Sequence, residues 1–269
     1  MRAMALVGAL AAVMTAGEER LSAAELTPEA LSGWQRYATA VEQRRGRELE
    51  GGRTFLVLDT VRDSADERRR ILAGDRIVRS MDAVDASNRS IDVPNALVHH
   101  WRGAVFLRGA TLGSLLSKLE NEAPPPGGEV LRSAVLARAP QFIKVFLRIE
   151  RSKVVTVVLD TEHDVRFTRT SPTRASSVSL ATRIVEVENP GTPGERALPA
   201  GDDRGFLWRL NAYWRYEAVP GGVIAECESI SLSRRVPFGL QTIASPIIGG
   251  VAKESMERAL ADLVGRTGT

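Results

Sequence analysis

The 269-residue chain holds a single cysteine, Cys227, so it builds no internal disulfide framework. Its three histidines are His99, His100 and His163, and neither a His-x-x-x-His nor a paired-cysteine spacing occurs. Adjacent strand residues point to opposite faces, so His99 and His100 are poorly placed to share a metal, and none is expected. Lysine is scarce. Thirty-two of the 36 basic residues are arginine, interspersed with 33 acids, and the net charge is only +3. No basic block interleaved with aromatics appears, so no nucleic-acid partner is expected. A glycine-rich phosphate loop, a Gly-x-Ser-x-Gly elbow and a Rossmann fingerprint are all missing, which leaves no cofactor to expect.

The apolar run Ala5 to Ala16 is too short to span a bilayer. Behind Arg2 it reads instead as an export signal, with Thr15-Ala16-Gly17 or Ser22-Ala23-Ala24 as the small-residue cleavage site. The competing reading is a buried or frayed N-terminal helix. Residues 1–24 are therefore expected to be a signal peptide on a periplasmic or secreted protein. Hydrophobic content of 43% and charged content of 26% fit a globular chain with one substantial core.

What the chain does have is concentrated between Gly205 and Val264. Phe206, Trp208, Leu210, Ala212, Trp214 and Tyr216 alternate with Arg209, Asn211, Arg215 and Glu217, the period of a strand with one buried face. Val219-Pro220-Gly221-Gly222 supplies a turn, and a return strand runs from Val223 to Ser233. Its inward positions, Val223, Ala225, Cys227 and Ser229, are small, which leaves room for something to lie across the sheet. Glu226 and Glu228 fall on the other face, where solvent and arginines such as Arg209 and Arg215 are expected. Cys227 reads as a small core residue and not a nucleophile. Met256, Leu260, Leu263 and Val264 then form one stripe of a long C-terminal helix. Ser245-Pro246 resembles its N-cap, and Gly249-Gly250 is expected to divide it in two.

Upstream, Thr27-Pro28-Glu29 opens a helix with Leu31, Trp34, Ala38 and Val41 as its apolar stripe, ended by Gly51-Gly52. Phe55 to Leu58 is a buried-strand candidate. Ser64-Ala65-Asp66-Glu67 matches a capping box, and Gly74 a helix stop. The run Arg68-Arg69-Arg70 on that helix reads as a solvated face. Residues 76–82 and 89–93 are expected to pair as a hairpin. Leu97, His99, Trp101, Gly103 and Val105 share a strand face, with a bulge expected at Gly103. Leu112, Leu115, Leu116 and Leu119 mark a short helix, and Pro124-Pro125-Pro126-Gly127-Gly128 a break. Strands are expected at about 130–138, 142–151, 154–167 and 177–187. Ile143, Val145, Leu147 and Ile149 share one face, as do Val157, Leu159, Thr161, His163 and Val165.

Four phrases carry a resemblance: Val98-His99-His100-Trp101-Arg102-Gly103, Thr161-Glu162-His163-Asp164-Val165, Gly205-Phe206-Leu207-Trp208-Arg209-Leu210-Asn211, and Glu226-Cys227-Glu228-Ser229-Ile230-Ser231-Leu232. Together with the element order, they resemble an uncharacterised exported branch of the START-like, or SRPBCC, superfamily. The resemblance implies an α+β helix-grip fold, a curved antiparallel sheet wrapped around a long C-terminal helix, and a cavity for lipids or other apolar molecules. This sequence departs from the pattern in offering one clear helix, where two are usual, after the first long strand.

The expected organisation is a signal peptide at 1–24, an N-terminal helical extension with a leading hairpin strand at 25–85, and the START-like domain at 86–266. The favoured function is an exported binding protein for an apolar small molecule or lipid, and a transient membrane contact stays open. The candidate ligand-binding residues are Trp101, Val105, Val145, Leu147, Val157, Leu159, His163, Trp208, Trp214, Ala225 and Cys227. No catalytic residue is assigned. A cyclase-like enzyme using His163, with Arg183 or another titratable group beside it, is one rival. A closed scaffold whose helix packs directly onto the sheet is the other.

Overall fold

The computed structural model describes residues 25–50, 54–152, 156–199, 201–235 and 241–267, with the backbone only for 241–249. The expected leader at 1–24, the Gly51-Gly52 stop and the side chains of Leu240, Ile243, Ile247 and Ile248 lie outside the described residues. Helix α1 spans Pro28–Glu50, a 3-10 turn Val57–Thr60, α2 Ser64–Ala73, α3 Leu112–Asn121 and α4 Gln241–Thr267. The strands are β1 Ile77–Ser80, β2 Ala96–Arg108, β3 Val130–Ala139, β4 Phe142–Ser152 and β5 Thr156–Ser171. They continue as β6 Arg174–Glu188, β7 Arg196–Ala197, β8 Arg209–Val219 and β9 Gly222–Arg234.

All nine strands join one antiparallel sheet in the order β1-β2-β9-β8-β6-β5-β4-β3, with β7 beside β6. Three of its hairpins turn on prolines, Pro140, Pro172 and Pro220, each preset at φ of about −65°. Gly221 follows Pro220 at φ 85°, a conformation that costs glycine nothing. The last hairpin returns β9 to lie between β8 and β2, so strands more than a hundred positions apart in sequence pair there.

Helix α4 packs on one face of this sheet. Gly103 of β2 is its seat: a Cβ there would lie 2.8 Å from Leu260 Cδ1 and from Met256 Cγ. The β2–β9 register runs through Gly103↔Cys227 without a shift, so the expected bulge is absent and the glycine serves a close approach. The expected division of α4 is also absent. Ser245-Pro246 and Gly249-Gly250 fall inside one helix, where a glycine costs only about 1 kcal/mol.

The N-terminal segment covers the opposite face. Thr27 caps α1 through its Oγ1, 3.2 Å from the Ala30 amide. Ala30, Trp34, Tyr37 and Val41 pack against Tyr213, Ile230 and Leu232, while Leu31 of the expected stripe faces solvent. Phe55–Leu58 is buried as expected but bends into the 3-10 turn; the Val57 and Leu58 amides donate to Glu226 at 2.7 and 2.8 Å. The capping box at Ser64 does not form. Glu67 turns inward to Arg102 at 2.7 Å and Arg79 at 2.9 Å, and Gly74 closes α2 in the left-handed region. Arg68, expected in solvent, bridges Asp59 and Glu217. β1 pairs with β2, leaving only a Val84↔Ser90 bridge of the expected 76–82/89–93 hairpin.

This cover overturns the solvent assignment of Glu226 and Glu228, which are 1% and 2% exposed. They sit in a buried ionic layer with Arg44, Arg102, Arg215 and His100. Charged residues of one parity look the same whether they face water or an ionic layer, and only the cover distinguishes the two.

Candidate functional site

Between the face of the sheet that holds α4 and the helix itself lies a cavity of about 340 Å³. Strand parity builds its walls. On β4, Ile143, Val145, Leu147 and Ile149 point in, as do Val165 and Phe167 on β5. On β8 the row is Leu210, Ala212, Trp214 and Tyr216, and α4 contributes Met256, Ala259 and Leu263.

The room itself comes from β9, whose inward Cys227, Ser229 and Ser231 are small. Cys227 pairs with Gly103 on one side and Trp214 on the other, and Ser229 with Trp101 and Ala212. The two indoles thus stand diagonally across a row of small side chains. Trp214 also stacks on Tyr216, with ring centroids 6.1 Å apart. Burial pushes the Cys227 thiol well up, so it stays protonated and inert.

Of the expected ligand-binding residues, Trp101, Val145, Leu147, His163, Trp214 and Cys227 line this cavity. Val105 and Ala225 belong to the packed core at the helix seat and contribute no wall. Val157 and Leu159 pack with Ile149 and Leu207 in a small satellite core. Trp208 is a correction. Regular pairing of β8 begins only at Arg209, and the Trp208 amide bonds to Leu232 O, out of the strand's alternation. Its ring therefore joins the core under α1, where Nε1 donates to Asp203 at 3.0 Å.

His163 is buried in the wall, and burial lowers its pKa from 6.5 to about 4. Thr161 Oγ1 lies 3.0 Å from Nε2 and donates its own proton to Leu147 O, so Nε2 carries the hydrogen and donates to Thr161. Ser179 Oγ then donates to Nδ1 at 3.4 Å. Both ring nitrogens are thus taken up by hydroxyls within the wall. Arg183 is not beside it. That side chain is on the outer face, 3.8 Å from Glu162.

The sequence reading missed several wall residues. Ser177 and Ser179 share the inward parity of β6, and Tyr216 Oη lies 3.3 Å from Ser177 Oγ. His99 also lines the cavity, 3.0 Å from Ser233 Oγ, with its pKa lowered to about 4 by burial and by the charge of Arg151. Parity would have found all of these. The charged residues Glu122, Glu129, Arg151, Arg258, Asp262 and Arg266 also line it. Among the described residues, no group of three or more His, Cys, Asp or Glu side chains is placed to hold a metal.

No protein-family model matches the chain, and no curated protein does. Among solved structures it is similar to a protein from Thermus thermophilus, at 11% identity over 62% of this chain and 94% of the other, with a TM-score of 0.41. An aromatase/cyclase from Streptomyces sp. R1128 is similar at 11% identity over 64% and 94%, with a TM-score of 0.40. A START superfamily protein from Mycobacterium smegmatis is similar at 12% identity over 64% and 96%, with a TM-score of 0.39. The chain has a START-like helix-grip fold, which rests on its own strand order and on the helix seated against the sheet.

Proposed function

We propose that this chain binds an apolar small molecule or lipid in the cavity between sheet and α4, and does so without chemistry. The observation that carries the reading is the 340 Å³ space itself, walled by aliphatic and aromatic side chains on five strands and the helix. That volume is at the low end of the roughly 300–1,000 Å³ of small-molecule sites. A chain of about twelve carbons, buried at ~0.8 kcal/mol per methylene, gains roughly 10 kcal/mol gross. Association costs of ~4–15 kcal/mol oppose this, which puts the expected affinity at micromolar or weaker. The neutral, hydroxyl-bonded His163 favours binding over catalysis.

Delipidated protein is to be titrated with 1-dodecanol, an isoprenoid alcohol and a sterol while tryptophan emission is followed. At least one class should change the emission saturably, because Trp101 and Trp214 stand in the wall. Trp214→Phe should diminish the change, and Trp208→Phe, on the other face of the sheet, should not. A flat response to every class overturns the proposal.

Export is part of the same proposal, motivated by Arg2 and the Ala5–Ala16 run. Protein made in a bacterial host should begin near Glu18 or Glu25. Retention of Met1 in a cytoplasmic product would refute it.

A further inference from the structure

The inward row of β4 reads Ile143, Val145, Leu147, Ile149 and then Arg151. Four apolar side chains lead to a guanidinium at the end of the same wall. An arginine carries five N–H donors and no acceptor, and it does not deprotonate in proteins. Among the described residues, none of Arg151's donors has an acceptor within hydrogen-bond distance, and its Nε is both buried and unpartnered. The nearest carboxylate oxygen, Glu129 Oε2, is 3.7 Å away.

Glu129 is already engaged. Ser255 Oγ lies 3.0 Å from each of its oxygens, and Arg258 Nη1 donates to Oε1 at 2.6 Å. The neighbouring His99 is held neutral and brings no negative charge. Burial disfavours Arg151's own charge, a cost only partly offset by Glu129. The side chain as a whole is half-buried, but its Nε is sealed from solvent, and a buried donor is costly unless something supplies the missing partner.

Of the other cavity-lining arginines, Arg258 has Glu129 and Glu254. Arg266 also has a buried, unpartnered Nε, but its Nη2 donates to Glu122 O at 3.2 Å, whereas no donor of Arg151 is used among the described residues. We infer that the bound molecule is an apolar monocarboxylate whose tail lies along the Ile143–Ile149 row and whose carboxylate accepts from Arg151. This rests on the binding function proposed above and names the ligand's head group. A carboxylate matches the guanidinium fork with two parallel, charge-assisted hydrogen bonds. A neutral alcohol offers one weak acceptor and leaves most of the fork unfilled.

The test is a matched pair on the delipidated full chain at pH 8, dodecanoate against 1-dodecanol, read by tryptophan emission. Dodecanoate is expected to bind at least ten-fold more tightly. Arg151→Gln should bring the ratio to about one, and Arg183→Gln, on the outer face, should keep both the preference and the dodecanol affinity. Equal affinities in the unaltered protein overturn the inference while leaving the binding function intact. A preference that survives Arg151→Gln, or that disappears in Arg266→Gln instead, also overturns it. If neither probe binds, the inference falls, and the binding function is decided separately by the isoprenoid and sterol titrations. Should Arg151→Gln fail to fold, Arg151→Lys keeps the charge without the fork and should weaken the preference; an unchanged preference again overturns the proposal.

Discussion

His100 Nε2 lies 2.7 Å from Glu228 Oε1, and both side chains are at most 3% exposed. On its other side the same ring reaches Tyr37 Oη at 2.9 Å, so one histidine ties β2 to β9 and to helix α1. Arg44, also on α1, donates to the same Glu228 oxygen. Nearby, Arg215 holds Phe55 O at 2.8 Å and Glu48, and Arg102 joins Glu67 to Glu226. The N-terminal segment is thus fastened to the sheet by buried ion pairs in the middle of two apolar clusters. Burial alone would raise the Glu228 carboxyl, but the His100 hydrogen bond and the Arg44 charge hold it below the usual carboxylate range.

Glu228→Ala strips an acceptor from both Arg44 and His100; Arg44 keeps Glu48, and the buried His100 Nε2 loses its partner. The expected loss is about 1–3 kcal/mol, with amides of α1 losing hydrogen-exchange protection first. Denaturant titration measures the loss. A change under about 1 kcal/mol would mean that the ionic layer contributes little and that the apolar clusters hold the segment unaided.

Acid should destabilise the chain through His163. Its folded pKa is about 4 against 6.5 for the exposed group, so between those values the unfolded chain takes up a proton that the folded one refuses. The contribution is therefore intact above about pH 6.5, declines as pH falls, and is gone near pH 4. The full drop is about 3 kcal/mol, and His99 adds a change of the same sign. His163→Gln should flatten this part of the stability profile. An unaltered slope in the variant would show that His163 protonates as freely when folded as when unfolded.

Gly103→Val should loosen α4. A Cβ at that position meets Leu260 and Met256 at 2.8 Å, and although both side chains are flexible, the branched valine demands more than a rotamer change. The expected cost is about 1–3 kcal/mol. Because the helix forms one wall of the cavity, ligand affinity should fall with stability. Full stability together with unchanged binding would place the helix elsewhere.

Local chemistry made much of this fold legible. Strand alternation found β4, β5, β8 and β9, the Thr27-Pro28-Glu29 start found α1, and the leucines at 112, 115, 116 and 119 found α3, which a Thr111–Ser114 capping pair opens. Each signal depends on residues a few positions apart, so no tertiary information was needed. The inward row on β4 and the small row on β9 followed from the same period, and with them most of the cavity wall.

The sequence by itself determined where most strands and helices form and which parity of each is apolar. The tertiary structure decided what lies against the other parity. Glu226, Glu228 and Arg215 carry the pattern of a wet face, yet α1 and the 3-10 turn seal them into ion pairs contributed by residues more than a hundred positions away. It likewise decided that Trp208, one residue before regular pairing starts, leaves the cavity side, and that Gly103 is a seat and not a bulge. The physical reason is the same each time. Periodicity records a residue's chemistry relative to its own strand, whereas burial and pairing depend on which distant segment supplies the opposing surface.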